Sequence, residues 1–136
     1  MLGWYSNNIL EVIGNKDELM KFHNSFKKDE TPNSKSISFE KLYPVPVELF
    51  ENIQDRYEWC QENWNLGYDD ELECEKIIIE DKSISYHFIT EYPPLYWINY
   101  VCKQLPNLTF NIEFDGLLKD CRNEDIYVRC SMVYKG

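Results

Sequence analysis

Hydrophobic and polar positions divide the chain into short strands and three helices. Residues 7–13 are mostly apolar and predict a strand, and residues 17–26 carry apolar side chains at helical spacing. Residues 37–41 predict a second strand, which Pro44 and Pro46 end because proline donates no backbone hydrogen bond. The first third of the chain therefore predicts a β-α-β unit.

One long helix of about five turns is predicted next, over residues 46–66. Apolar side chains recur there at steps of three and four, while acidic side chains occupy the other faces. The apolar positions are Phe50, Ile53, Tyr57, Cys60 and Trp64. Pro46 suits the first turn and Gly67 the end of such a helix. We expect the apolar stripe to face the protein interior.

The second half of the chain predicts further strands around one more helix. Two β-rich runs, 77–79 and 83–90, flank a short acidic turn and predict a hairpin. Two prolines open a predicted helix over 93–105. Residues 108–114 alternate strictly between apolar and polar side chains, and residues 126–134 alternate again, so each segment predicts a half-buried strand.

The order of these elements predicts an α+β fold. With the long helix and one arm of the hairpin set aside, β-α-β-β-α-β remains, which is the ferredoxin-like pattern of an antiparallel sheet with helices on one face. We therefore predict a single domain over residues 1–136, with an inserted helix at 46–66. A C-terminal extension, residues 117–136, is expected to add a strand.

Composition supports a packed core and narrows the class of partner. Of 136 residues, 43% are hydrophobic and 15% aromatic, which is ample material for a core. Fourteen Lys and Arg stand against 24 Asp and Glu, for a net charge of −10. Such a chain repels phosphate backbones, so we predict no direct nucleic-acid binding. The same charge attracts a basic surface and predicts a protein partner of that kind.

The cysteines and the hydropathy pattern indicate the compartment. The five cysteines are odd in number and none form a Cys-x-x-Cys pair, which favours free thiols. The first residues lack the features of a secretory signal, and no apolar run approaches the roughly 18 residues of a transmembrane helix. We expect a cytoplasmic protein without a membrane contact.

Aromatic, amide and acidic side chains are concentrated around residues 57–75. Trp59 lies off the predicted apolar stripe, which favours a surface for stacking a ligand or binding a partner. Alternatively, Tyr57 and Trp64 belong to the core and Asn63 satisfies backbone groups at the helix end. The acidic residues that follow predict a solvated loop or a contact for a basic partner. The candidate binding residues are Trp59, Asn63, Tyr68, Asp69, Asp70, Glu71, Glu73, Tyr92 and Trp97.

Catalytic chemistry is not indicated by any motif. The sequence contains no glycine-rich phosphate loop, no metal-spaced set of Cys and His, and no nucleophile signature. The two histidines, His23 and His87, each neighbour apolar residues and are typical of packed or hydrogen-bonded imidazoles. We therefore predict no catalytic residues, no metal and no cofactor, and hence a protein that is not an enzyme.

Several short segments carry a family resemblance. Residues 59–64 read Trp-Cys-Gln-Glu-Asn-Trp, residues 90–97 contain Tyr-Pro-Pro-Leu, and similar matches occur at 4–10, 42–46 and 105–108. This set resembles the YubB-like family of phage and plasmid proteins, over roughly residues 4 to 116. The resemblance implies a ferredoxin-like domain and an origin in a mobile element. After Trp64 the family continues Gly-Thr-Lys-Trp-Asp, and this chain lacks that lysine.

Two functions are therefore expected, from different classes. The first is a non-enzymatic accessory protein of a phage or other mobile element, which binds and inhibits a basic host protein such as a defence nuclease. The alternative is a small-molecule or nucleotide-binding module whose cleft is rimmed by aromatic side chains. That rim would consist of Trp59, Tyr68, Tyr92 and Trp97. A homodimer formed through an uncovered sheet face or edge is a third interpretation.

Overall fold

The computed structural model of the chain describes residues 5–31, 33–66, 71–119 and 122–136. The strands of the described residues are β1 (Ser6–Ile13), β2 (Ser36–Ser38), β3 (Glu71–Glu73), β4 (Lys76–Ile79), β5 (Ser83–Thr90), β6 (Thr109–Lys119) and β7 (Asp125–Lys135). The helices are α1 (Lys16–Phe26), α2 (Ile53–Trp64) and α3 (Leu95–Gln104), with a 3-10 turn at Val47–Leu49. The predicted α+β class is confirmed.

Five of the strands form one antiparallel sheet in the order β4-β5-β1-β6-β7. Strand β1 is central and pairs with β5 on one side and with β6 on the other. Strands β2 and β3 pair separately as a small second sheet. The long pairing of β6 with β7 extends the main sheet at one edge, so the predicted C-terminal strand is confirmed.

Alternation along the strands sends one set of side chains to a shared core. Leu10 and Val12 of β1 are fully buried, while their neighbours on the strand are more exposed. Helices α1 and α3 pack on this face: the Phe22 ring meets that of Phe110 edge-on at 5.5 Å between centroids. The Trp97 ring of α3 lies 5.1 Å from that of Phe26. The apolar side chains of the strands thus form the face of the sheet on which both helices pack.

The second predicted strand takes a different place from the one expected. It forms β2, which pairs with β3 rather than with the main sheet. Both arms of the predicted hairpin, β4 and β5, lie in the main sheet instead. Phe39, just after β2, is held by a hydrogen bond of 2.8 Å from the Trp97 indole to its carbonyl. The contact with Trp97 of α3 therefore holds this segment in place. The short alternating pattern of residues 37–41 does not indicate which strand they pair with.

The predicted helix over 46–66 is shorter than expected. Only the turn Val47–Leu49 follows Pro46, and α2 begins at Ile53. The Asn52 side chain accepts a hydrogen bond from the Asp55 amide, which caps the helix there. Phe50 is 44% exposed and Ile53 66%, so the predicted stripe is wrong for its first two members. The apolar spacing extends further toward the N-terminus than the helix does, because the helix begins at the cap formed by Asn52.

The end of α2 also differs from the prediction. The helix stops at Trp64, and Asn65 adopts the left-handed conformation with φ 61°. Asparagine tolerates that conformation, which glycine usually supplies at a helix end. The Asn65 side-chain amide also donates to the carbonyl of Pro93, at 2.9 Å. The stop therefore lies two residues before Gly67, and it ties α2 to the start of α3.

Candidate functional site

Trp59 and Asn63 lie together in an aromatic cluster between α2, α3 and the segment after β2. The rings of Tyr43 and Tyr100 stack at 3.7 Å between centroids, and Trp59 meets Tyr43 edge-on at 5.3 Å. The Tyr43 hydroxyl donates to the Asn63 Oδ1 atom at 3.2 Å. Asn63 in turn donates to the backbone carbonyl of Trp59 at 2.9 Å. The structure thus brings these two predicted residues together.

Hydrogen bonds inside this cluster are directed at the protein itself. The Trp64 indole donates to the Tyr43 carbonyl at 3.2 Å, and its ring is fully buried. Trp59 is half-buried against Trp64, with ring centroids 5.6 Å apart. The arrangement matches the alternative in which these residues pack the core and satisfy backbone groups. The cluster joins α2 to α3.

Of the three remaining aromatic candidates, the two that the structure describes do not join Trp59 at a cleft. Trp97 is fully buried and its indole is bonded to the Phe39 carbonyl, so it cannot rim a cleft. Tyr92 is half-buried, and its hydroxyl donates to the carboxylate of Asp125 at 3.3 Å. Tyr68 lies outside the described residues. The predicted rim of four aromatic side chains is therefore wrong, because one member belongs to the core.

The predicted acidic segment is described only in part. Asp69 and Asp70 lie outside the described residues, and Glu71 and Glu73 lie in β3, which pairs with β2. Glu73 is exposed at the surface. Glu75 donates its backbone amide to the His87 carbonyl at 2.8 Å and lines a trough on the main sheet. Acidic charge from this segment therefore reaches the sheet through Glu75.

That trough crosses the face of the main sheet opposite to α1 and α3, which we call the open face. Its volume is about 570 Å³, and it spans β5, β1, β6 and β7. Ile9 forms its floor on the central strand, beside His87 on β5 and Glu113 on β6. A second depression of about 220 Å³ continues along the same face past Glu11 and Asn111. These two depressions make the open face a concave surface.

Carboxylates and amides line the open face at alternate positions. Glu113 is exposed, and Asp115 forms an ion pair of 3.2 Å with Arg129, a residue whose side chain is 83% exposed. Ion pairs that are open to solvent contribute little, about 0.2–1 kcal/mol. Asn111 donates to Glu11 across the strands at 3.2 Å. The charge of the trough is negative, because Glu113, Asp115, Glu75 and Glu11 outnumber the one arginine.

Two oxygen atoms of this face lack a donor among the described residues. The Oδ1 atoms of Asn111 and Asp115 are shielded from solvent and accept no hydrogen bond there. Polar atoms held away from water usually find a partner, since leaving one unpaired costs about 1–3 kcal/mol. Both atoms lie on β6, four residues apart, on the polar side of the strand.

Comparison of the chain with family models, with curated proteins and with solved structures gives no match. Within the described ranges, no three His, Cys, Asp or Glu side chains are arranged to hold a metal ion. No helix of these ranges is both long and apolar enough to cross a membrane.

Titratable side chains are buried in the core, away from the open face, among them His23, Tyr86 and Cys74. The His23 Nδ1 atom and the Tyr86 hydroxyl are 2.8 Å apart, and both residues are buried. Burial, with a smaller contribution from Lys27, lowers the pKa of His23. Burial, and then Glu73, raises the pKa of the Cys74 thiol to about 12. Both shifts favour the neutral form of the group inside the core.

The open face is not predicted from the sequence, because the apolar positions of each alternating strand are assigned to the core and the polar positions are given no role. The strict alternation over 108–114 identified the buried side of β6. The other side of the same strand carries Asn111, Glu113 and Asp115, which place three oxygen-bearing side chains in a row. Strand β1 repeats this arrangement with Asn7 and Glu11 around Ile9. The polar positions of β1 and β6 are therefore the sequence feature that could have indicated this site.

Proposed function

We propose that this chain is a non-enzymatic binding protein that holds a basic, extended segment of another protein on its open face. The observation that supports this most is the trough itself, in which Glu113, Asp115 and Glu75 surround the apolar side chain of Ile9. Apolar contact there would supply affinity, while the carboxylates would select a cationic partner. The net charge of −10 would also attract a cationic partner from a longer distance.

The spacing of the acceptors favours an extended segment over a helix. Residues two apart on a strand are separated by about 6.8 Å, and Asn111, Glu113 and Asp115 follow that interval on β6. Lysine or arginine at alternate positions of an extended chain has the same interval, so two successive cations can meet the carboxylates of Glu113 and Asp115. A helix instead presents side chains on one face at about 5–6 Å, three or four residues apart.

The fold and the biological setting belong to the same proposal. The strand order β4-β5-β1-β6, with α1 and α3 as the crossovers, supports a ferredoxin-like arrangement in which β4 takes the role first assigned to residues 37–41. The resemblance to the YubB-like family supports an origin in a phage or plasmid. The partner we propose is a basic host protein of the cytosol, such as a defence nuclease, whose cationic groove would be blocked.

A defined basic peptide tests the binding surface directly. The probe is a ten-residue peptide that alternates lysine with valine, and the control peptide alternates glutamate with valine. The full chain is titrated at 50 and 200 mM salt and the affinity is measured by fluorescence anisotropy. We expect the lysine peptide alone to bind, and more weakly at the higher salt because ions screen exposed charges.

Matched variants locate the contact. Glu113→Gln with Asp115→Asn removes two charges from the open face, and Glu48→Gln with Glu51→Gln removes two exposed charges outside the sheet. The first pair should weaken peptide binding by about five- to thirtyfold, since each such charge contributes about 0.5–1 kcal/mol. The second pair should change it less than twofold. Equal losses in both variants would show attraction to overall charge and would refute an open-face site.

A further inference from the structure

Strand β7 forms an exposed edge of the main sheet. It is eleven residues long, about twice the usual strand, and on its outer side it pairs with no strand of the described residues. Apolar side chains remain exposed along it: Val133 is 62% exposed, Tyr127 53% and Ile126 42%. A long edge strand of this composition is a template for pairing with another strand.

We propose that a second copy of this chain occupies that edge, with the two β7 strands antiparallel around a two-fold axis at Cys130. In this register all eleven residues of each strand have a partner. Asp125 lies opposite Lys135 of the second copy, so an opposite-charge pair forms at each end. Between the ends, apolar residues face apolar residues: Ile126 opposite Tyr134, Tyr127 opposite Val133, and Val128 opposite Met132.

The sequence of the strand favours this register over its neighbours. An axis at Arg129 would place two guanidinium groups directly opposite each other, which destabilises an antiparallel pair. It would also leave residues at the end of the strand without a partner. An axis at Cys130 places two small side chains at the centre and keeps Arg129 opposite Ser131 of the second copy.

The proposed dimer has a geometric consequence for the open face. The two-fold axis of such a pairing stands perpendicular to the sheet, so both copies turn the same face to the same side. Each trough is lined by Arg129 and Ser131 of β7, which lie beside the axis. The two troughs would therefore lie next to each other on one continuous sheet of ten strands.

Salt separates this contact from the binding of a basic partner. Two chains of charge −10 repel each other, and added salt screens that repulsion. We therefore expect self-association to be as strong or stronger at 200 mM salt than at 50 mM. Binding of the lysine peptide should change in the opposite direction, so failure of one proposal leaves the other measurable.

A charge exchange tests the register. Sedimentation equilibrium of the full chain between 1 and 100 µM should give a dimer. Lys135→Asp puts two aspartates opposite each other at both ends and should raise the dimer Kd about tenfold. Adding Asp125→Lys to that variant restores opposite charges and should recover the original Kd. Circular dichroism checks that each variant keeps the fold.

Cross-linking provides an independent measurement at the axis. In a chain carrying Cys121→Ser, a short bis-maleimide should join two copies through Cys130, because the other described thiols are buried. Adding Cys130→Ser should abolish the linked dimer. A chain that stays monomeric at 100 µM overturns the proposal. So does a dimer that ignores both Lys135→Asp and its restoration, since its contact would lie elsewhere.

Discussion

Among the described residues, Trp97 is one of the two largest fully buried side chains, and its replacement tests whether it serves the core or a ligand. Its ring packs against Phe26 and Phe39 at 5.1 and 5.0 Å between centroids. Emptying a buried tryptophan site costs about 3–5 kcal/mol. Because small domains have only about 5–15 kcal/mol in total, we expect Trp97→Ala to lose a large share of its stability.

A second substitution separates the hydrogen bond from the packing. Trp97→Phe keeps most of the aromatic contact but removes the indole N–H, which leaves the Phe39 carbonyl without that donor. An acceptor left unpaired in this way costs about 1–3 kcal/mol, so the loss should lie below that of alanine. Urea unfolding followed by circular dichroism at 25 °C gives both values, and an unchanged m-value shows that the denatured state is comparable.

Tyr96 is the matched control, because it neighbours Trp97 on α3 and is 54% exposed. Tyr96→Ala should change the free energy of unfolding by no more than about 0.5 kcal/mol. If Trp97→Ala cost as little as Tyr96→Ala, the core assignment of Trp97 would be refuted. A binding role for the indole would then have to be reconsidered.

Three further predictions concern individual groups. The pKa of His23 is lowered in the folded chain, so the unfolded chain binds its proton first and stability should fall as the pH drops below about 6.5. His23→Gln should flatten that slope in unfolding curves measured from pH 7.5 to 5. With a thiol reagent at pH 8, Cys130 should react in the folded protein, and Cys74 only on unfolding, because burial holds its pKa at about 12. Gly116→Ala should destabilise by about 1–3 kcal/mol, since its Cβ would lie 2.5 Å from the Ser6 Cα and force β6 away from β1. A thermal melt unchanged by Gly116→Ala would show that the two strands separate easily.

The strands were predictable because their alternation reports burial on one side. Strands β5, β6 and β7 were all expected from it, and the α3 helix from its proline start. Pairing partners were not predictable in the same way, since alternation says which side of a strand is buried and not which strand lies beside it. The placement of β2 with β3 therefore differed from the expectation.

Helix α2 shows how a local signal can override spacing. Phe50 and Ile53 continue the apolar stripe in sequence, yet the cap at Asn52 starts the helix only after Phe50, and both side chains are exposed. The Arg56 guanidinium lies 5.4 Å from the centre of the Phe50 ring and covers part of it. An asparagine three residues before an acidic residue was the better indicator of the helix start.

The candidate site was predictable only in part. Trp59 and Asn63 do lie together, but in a packed cluster, and their sequence proximity could not distinguish packing from binding. The open face draws its residues from strands that are distant in sequence and joined only by pairing, such as Glu11 on β1 and Asn111 on β6. A window that moves along the chain does not bring these residues together.

The alternation of polar and apolar side chains that creates the open face also disfavours incorrect strand registers during folding. If β1 or β6 assembled one residue out of register, every side chain on it would change sides. Glu11, or Glu113 and Asp115, would then enter the apolar layer beneath α1 and α3, where an unpaired carboxylate is very costly. These acidic residues would therefore penalise misassembly before any partner is present. A chain neutralised at all three positions should misfold and aggregate more readily on refolding.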